Sequence, residues 1–399
     1  MTTERMRCGV FMAPFHPVDE DPTMAIRRDI ELVEWLDEIG FDEAWIGEHH
    51  SAGYEIISSP ELFIAAAAER TSRIRLGTGV VSLPYHNPMM VADRIIQLDH
   101  MTRGRVMFGA GPGLLPSDAF MLGIHPSQQR GRMAEALDVI LRLMAGETVT
   151  EKTDWYNLQN ARCQLLPYTR PRPEVCVAST ATPSGGRLAG KYGLGMLCVA
   201  ATANSGFDVL GTNWQIACDI AAEYGRTMDR GGLRVVGPMH IAETREQALA
   251  DLEYGFRKWH SYFVGINPVA NAPEFYADDP LTAMRESGFA VVGTPDDAIA
   301  QLGRLQQQTG GFGCFLFFAH NWANFAATKR SYELFMRHVM PHFAGANTRR
   351  AESLAYAKDN AGELMNAAMG AAMEMVQKHQ EETEAKAALP PPLRTPPGD

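Results

Sequence analysis

Short apolar runs alternate with longer amphipathic stretches along most of the chain. CGVFMAPF (8–15), DEAWIGEH (42–49), IRLGTGVVSL (74–83), RVMFGAGPG (105–113), PEVCVAST (173–180), GMLCVAA (195–201), LRVVGPMHIAE (233–243) and GFGCFLFFAH (311–320) read as strands. Their near-continuous hydrophobicity suits strands buried on both faces, as in a parallel sheet. Between them lie helical patterns. In 23–40, Ile26, Ile30, Val33 and Ile39 fall close to helical spacing and Gly40 ends the run. In 59–72, Ser59 is placed to cap a helix that has Pro60 at its first position. Further helices are expected over 87–102, 127–146, 207–225, 244–260, 294–310 and 325–343, and one starting near Pro183.

Eight such strand–helix units predict an α/β fold, a (β/α)8 TIM barrel. A loop of about 25 residues follows the fourth unit, and an insertion over roughly 260–293 precedes the last strand. The barrel is expected over 1–348. A C-terminal helical extension, rich in Ala, Glu and Met, follows over 349–387, then a disordered Pro-rich tail over 388–399.

Composition narrows the function. The 399 residues carry a net charge of −11 with no concentrated Lys/Arg stripe, which argues against a nucleic-acid partner. No run of about 18 uncharged apolar residues points to a membrane span, and the N-terminus does not read as a leader. The six scattered cysteines form no C-x-x-C pair and read as reduced thiols. A cytoplasmic protein is expected.

A parallel barrel places its chemistry at the C-terminal ends of its strands. There stand Phe15-His16, Glu48-His49-His50, Ser82-Leu83-Pro84, Gly109 to Gly113, Ala178-Ser179-Thr180, His240 and Ala319-His320-Asn321. Alternation along a strand turns Glu48 and His49 to opposite faces, and no H-E-x-x-H pattern occurs, so no metal is expected. Gly109, Gly111 and Gly113 do not match G-x-G-x-x-G. They mark either a close approach of backbone to a flat ligand or a tight turn. Ser179, Thr180 and Ser184, at a strand–helix junction, make either a phosphate cradle or an ordinary helix cap. Tyr54, His320 and Trp322 are candidates for an apolar substrate pocket, with simple packing the alternative.

GFDEAWIGEHH, RIRLGTGVVSLPYHNPMMVADRIIQLDHMTRGRVMFGAGPG and ASTATPSGGRLAGKYG together resemble the bacterial luciferase-like flavin-dependent monooxygenases, over roughly residues 7–345. The extended stretch from Ala44 to Pro88 is most similar to members that epoxidise a terpene such as limonene. The resemblance implies a (β/α)8 barrel that uses reduced FMN or FAD, supplied by a separate NAD(P)H-dependent flavin reductase, with O2 as co-substrate. It implies oxygenation of a small apolar substrate through a flavin C4a-(hydro)peroxide, in a homo-oligomer, a dimer or tetramer.

The family's active-site histidine falls on His49, its non-prolyl cis peptide on Gly79-Val80 beneath the flavin ring, and its phosphate-binding junction on Ser179 and Thr180, with Ser184 nearby. Glu48 and His50 either orient His49 or merely flank it. The Cys-Arg pair that closes the fourth strand in luciferase reads Gly111-Pro112 here, so that cationic phosphate clamp is absent and Arg187 is the substitute cation. The insertion, with Tyr262 and Phe263, is expected to act as a lid. Alternatives are a Baeyer–Villiger monooxygenase, an F420-dependent oxidoreductase and a non-catalytic flavin-binding barrel.

Overall fold

The computed structural model describes residues 5–13, 15–180, 182–199, 201–202, 204–266 and 272–388, without the side chains of 204–209. The tail expected over 388–399 therefore lies, after Ala388, outside the described residues.

Eight parallel strands close on themselves. They are β1 Arg7–Met12, β2 Glu43–Ile46, β3 Arg75–Thr78, β4 Val106–Gly111, β5 Glu174–Ser179, β6 Gly195–Cys198, β7 Leu233–Gly237 and β8 Cys314–Phe318. β1 pairs with β2 and β8, β3 with β4, and each remaining strand with the next, so the sheet has no free edge. Helices surround this barrel. Those at Pro22–Ile39, Pro60–Ala68, Pro88–Thr102, Pro126–Met144 and Pro295–Thr309 open on proline, whose missing N–H costs nothing in a first turn.

Strand alternation divides the core. Val10, Ala44, Leu76, Phe108 and Val175 face the helices, whereas Phe11, Trp45, Met107, Cys176, Leu197, Val236 and Leu316 fill the barrel. Trp45 needs room inside, and glycine supplies it: a Cβ on Gly77 would lie 2.5 Å from the indole, and one on Gly79 2.9 Å from Trp45 Cβ.

The N-terminal end of the barrel is plugged by charge. Arg234 and Glu43 have no exposed side-chain surface, and the guanidinium makes a two-pronged contact, Nε to Oε2 at 2.7 Å and Nη2 to Oε1 at 2.8 Å. Arg234 Nη1 also meets Glu174 at 2.8 Å, Arg75 meets Glu174 at 2.7 Å, and Arg7 meets Glu43 at 3.1 Å. This network ties five strands together opposite the mouth.

Three expected elements differ. The loop after the fourth unit contains an antiparallel hairpin, Val149–Lys152 with Asn157–Ala161, held down by buried Val149, Leu158 and Ala161. The seventh strand stops at Gly237 because Pro238 has no N–H for the ladder. Met239–Ile241 then pairs with Val291–Gly293 outside the barrel, so His240 leaves the mouth and contacts Asp251 at 2.9 Å. The helix expected over 244–260 breaks into Arg245–Asp251 and Phe256–Ile266 around Gly255, whose N–H bonds the Trp322 carbonyl.

The chain divides into compact units Met1–Ala344 and Gly345–Asp399. The second contains two helices, Thr348–Asp359 and Ala361–Ala387, in which no residue is buried. No described helix is long and apolar enough to cross a membrane, and all six cysteines are free thiols.

Candidate active site

A cavity of about 540 Å3 opens at the C-terminal ends of the strands, within the range of about 300–1,000 Å3 usual for small-molecule sites. Its wall changes character along its length. One end has Ser179, Thr180, Thr182 and Ser184; the other has the packed rings of Trp259, Phe263, Phe275, Phe289 and Phe318; Arg130, His49, Glu48 and Glu55 also line the wall with Gly79 and Val80. The Gly79–Val80 peptide is cis.

The Glu48-His49-His50 run resolves into two separate constellations. Glu48 Oε1 accepts from His50 Nε2 at 2.8 Å and His86 Nε2 at 2.7 Å, while Oε2 accepts the Ser82 N–H at 2.8 Å. Burial works against the ionised form, but these bonds and the His86 charge outweigh it and hold the Glu48 carboxyl at about 2. Glu48 thus pins the end of β2 to the segment after β3. The donor atoms of Glu48, His50 and His86 lie within 4.8 Å of one another, the arrangement that could hold a cation among the described residues. Here that space is taken up by direct ring–carboxylate bonds, and Arg94 places a guanidinium nitrogen 3.5 Å from His86 Nδ1. The alternation that separates Glu48 from His49 brings Glu48 and His50 together, a pairing absent from the sequence reading.

His49 turns the other way, between two acids. Nδ1 is 3.2 Å from Asp118 Oδ2 and Nε2 is 3.1 Å from Glu55 Oε2. Burial pushes the imidazolium pKa down, yet the charges of Glu55 and Asp118 and the hydrogen bond to Asp118 outweigh burial and raise it above the ordinary histidine value. Asp118 sits on the short helix Pro116–Met121 and also accepts the His50 N–H at 3.1 Å and the Ser51 hydroxyl.

At the polar end, the helix Ser184–Tyr192 starts without a side-chain cap hydrogen bond. Its first amides have no partner within the helix, so it is an anion site in waiting. Thr182 and Ser184 hydroxyls stand 2.9 Å apart beside it, and Asn213 Nδ2 anchors Ser179 at 3.3 Å and the Thr180 carbonyl at 3.1 Å. Gly185 lets this helix close on β5, since a Cβ there would strike the Ala178 carbonyl. Arg130 also lines the cavity and makes no ion pair or hydrogen bond with the described residues.

Several expected positions move. Gly109 and Gly111 do not line the cavity; a Cβ on either would collide with the Thr78 carbonyl or Val80, so both serve the packing of β4 against β3. Neither has a positive φ, whereas Gly113 does, at 84°. Tyr54, His320 and Trp322 lie behind the wall: Tyr54 stacks on Phe15 at 4.8 Å, and His320 stacks on Trp322 at 3.9 Å. Phe263 of the insertion lines the cavity; Tyr262 does not, but bonds Glu55. Arg187 is exposed and away from the cavity, where Arg130 stands instead. Asp118, Glu55, Arg130 and the aromatic group around Trp259 are additions to the site. Pro-Ser-Asp at 116–118, a helix-start pattern, was the one local signal for Asp118.

A closed parallel barrel with its cavity at the strand ends and a histidine in the wall belongs to a known class. The family model for luciferase-like monooxygenases matches residues 6–311, and the chain belongs to that family. It is 52% identical to limonene 1,2-monooxygenase of Rhodococcus erythropolis over 342 residues, 86% of this chain and 87% of the relative. It is 49% identical to 4-hydroxyprotoasukamycin monooxygenase of Streptomyces nodosus subsp. asukaensis, over 86% of this chain and 94% of the relative. Among solved structures, the oxygenating constituent of 3,6-diketocamphane monooxygenase from Pseudomonas putida, a type II Baeyer–Villiger monooxygenase in complex with FMN, superposes with a TM-score of 0.70 at 25% identity, covering 85% of this chain and 99% of that one. The chain is a monooxygenase of this family.

Proposed function

We propose that this monooxygenase is the oxygenating component of a two-component system, taking reduced FMN from a separate NAD(P)H-dependent reductase and adding one atom of O2 to the alkene of a small apolar, terpene-like substrate. The carrying observation is one cavity whose two ends suit two different molecules. At one end, uncapped helix amides and four hydroxyls, with the unpaired Arg130 in the same lining, fit a single phosphate. At the other, five aromatic rings fit a ligand without charge. The FMN complex of the diketocamphane relative and the name of the limonene relative support the same pairing.

Reduced flavin, when bound, would supply the electrons that activate O2. The chain supplies the rest. Its aromatic end excludes water, and His49, whose Nε2 lies 3.1 Å from Glu55, stands in the cavity wall to hold a proton for oxygen atoms there. A protonated acceptor favours addition to an alkene over attack on a carbonyl, and a proton donated from His49 would favour epoxidation over Baeyer–Villiger oxidation in the same way.

The phosphate end is tested by binding. Arg130→Ala is expected to weaken FMN binding by about 10-fold, the worth of one charge-assisted bond at an open site, whereas Arg187→Ala leaves it unchanged. Quenching of flavin fluorescence reads both. Equal affinity in wild type and Arg130→Ala would remove the phosphate from this end of the cavity.

A further inference from the structure

Glu55 is a buried acid on the cavity wall, 6% exposed, that the proposed function leaves unused. Its Oε1 accepts the Tyr262 hydroxyl at 2.8 Å. Its Oε2 makes no hydrogen bond and faces His49 Nε2 at 3.1 Å. Tyr262 is held in turn, its ring 4.7 Å from Tyr54 and 5.6 Å from Phe15.

The protons can be counted. Asp118 receives the His50 N–H, the Ser51 hydroxyl and His49 Nδ1, which makes it an ionised acceptor. Burial opposes its charge, but the bonds to His49 and Ser51 prevail and its pKa falls. His49 Nδ1 therefore carries a hydrogen. What remains is Nε2 opposite Oε2. Without a proton these two atoms repel as paired acceptors; with a proton on either partner the contact is attractive. Imidazolium beside carboxylate and imidazole beside carboxylic acid are two forms of the same one-proton state.

We propose that Glu55 and His49 share one proton at the cavity wall, with Glu55 a positioning residue that acts through His49 and Tyr262 the hydroxyl that fixes Glu55. This deepens the proposed function and rests on it for the proton's use. On transfer, a hydrogen ion leaves His49 Nε2 for an oxygen atom in the cavity. The pair is left as neutral imidazole and carboxylate, no electrons move, and solvent returns the proton.

The surrounding charges agree. Burial raises the Glu55 pKa against the lowering effects of His49, Tyr262 and His16, with Asp118 adding to the rise. For His49, Glu55, Asp118 and Glu48 outweigh burial. Both members bind a proton more tightly than usual. It is lost as pH rises through the elevated His49 value.

Histidine and glutamate side-chain NMR on the flavin-free protein tests this, with His49 assigned from the His49→Asn spectrum. In wild type, the Glu55 carboxyl signal is expected to respond over the same pH span as the His49 ring. In Glu55→Gln the His49 midpoint moves down toward the ordinary value, and the alkaline limb of the kcat profile moves acidward with it. Tracking of the two residues in wild type decides the matter even if Glu55→Gln does not fold. A His49 titration to which Glu55 is silent, or a midpoint unchanged in folded Glu55→Gln, overturns the shared proton. Because the titration needs no flavin, a coupled response supports the shared proton even in a chain that fails to oxygenate, where the proposed function alone is lost.

Discussion

Alanine in place of His49 is expected to lower kcat for substrate oxygenation by about 10²- to 10⁴-fold, the usual worth of a positioned proton donor, with flavin affinity unchanged. The two effects separate because the cavity separates them. His49 lies in the wall beside Glu55, whereas the helix start, Ser179 and Thr180 make up the polar end. Removing the ring also strips Asp118 and Glu55 of their shared neighbour and leaves two buried acids facing a void. Peroxide release should therefore rise as product falls, since the flavin still enters but its oxygen chemistry loses its proton source. Steady-state product formation, measured beside hydrogen peroxide and flavin affinity, reads all three. Product formation within about threefold of wild type would remove His49 from the chemistry, that loss being far below the range for general acid–base groups.

The second large effect is on stability. Arg234→Met should destabilise the barrel by about 3–5 kcal/mol, the cost of leaving a buried charge without its partner. Glu43 has no exposed side-chain surface, and its charge is met by both prongs of Arg234, with Arg7 at 3.1 Å as the remaining cation. Burial alone would raise the Glu43 pKa, but Arg234 reverses this and holds it below the usual range. Methionine fills much of the same volume, so the loss reports charge more than packing. Adding Glu43→Gln to Arg234→Met should restore a large part of the lost stability, because the orphaned charge is gone. Urea unfolding of the single and double variants checks this. A single-variant loss below about 1 kcal/mol would place the pair with surface ion pairs instead.

The barrel was legible because its strands are buried on both faces and its helices announce their starts. Val10, Phe11 and Met12 are all buried, which reads as an unbroken apolar run, and Pro22, Pro60, Pro88, Pro126 and Pro295 stand at helix openings. The hairpin at 149–161 escaped because only three residues of its two short strands are buried. Pro238 ends a strand inside an apolar run that hydrophobicity alone reads as continuous.

The site was legible where one strand end carries it, and not where distant segments meet. His49 and Asp118 are 69 residues apart, and Glu55 meets Tyr262 across 207 residues; no local pattern records such contacts. Tyr54, His320 and Trp322 were expected on the wall because they follow strands. The chain turns away after β8, with Asn321 at a φ of 55°, and stacks His320 on Trp322 behind the aromatic lining. Arg130 lies on a helix, four residues past its first turn's proline, and only the folded chain brings it into the same cavity lining as Ser184.

Oxygen tracing tests the central claim most directly. The protein is mixed with chemically reduced FMN, a terpene alkene and heavy-isotope O2, with no reductase present. The account predicts one heavy oxygen atom in an epoxide product and none when O2 is excluded. Substrate oxidised without label, or turnover that proceeds in the absence of O2 with F420 as the hydride acceptor, would contradict it.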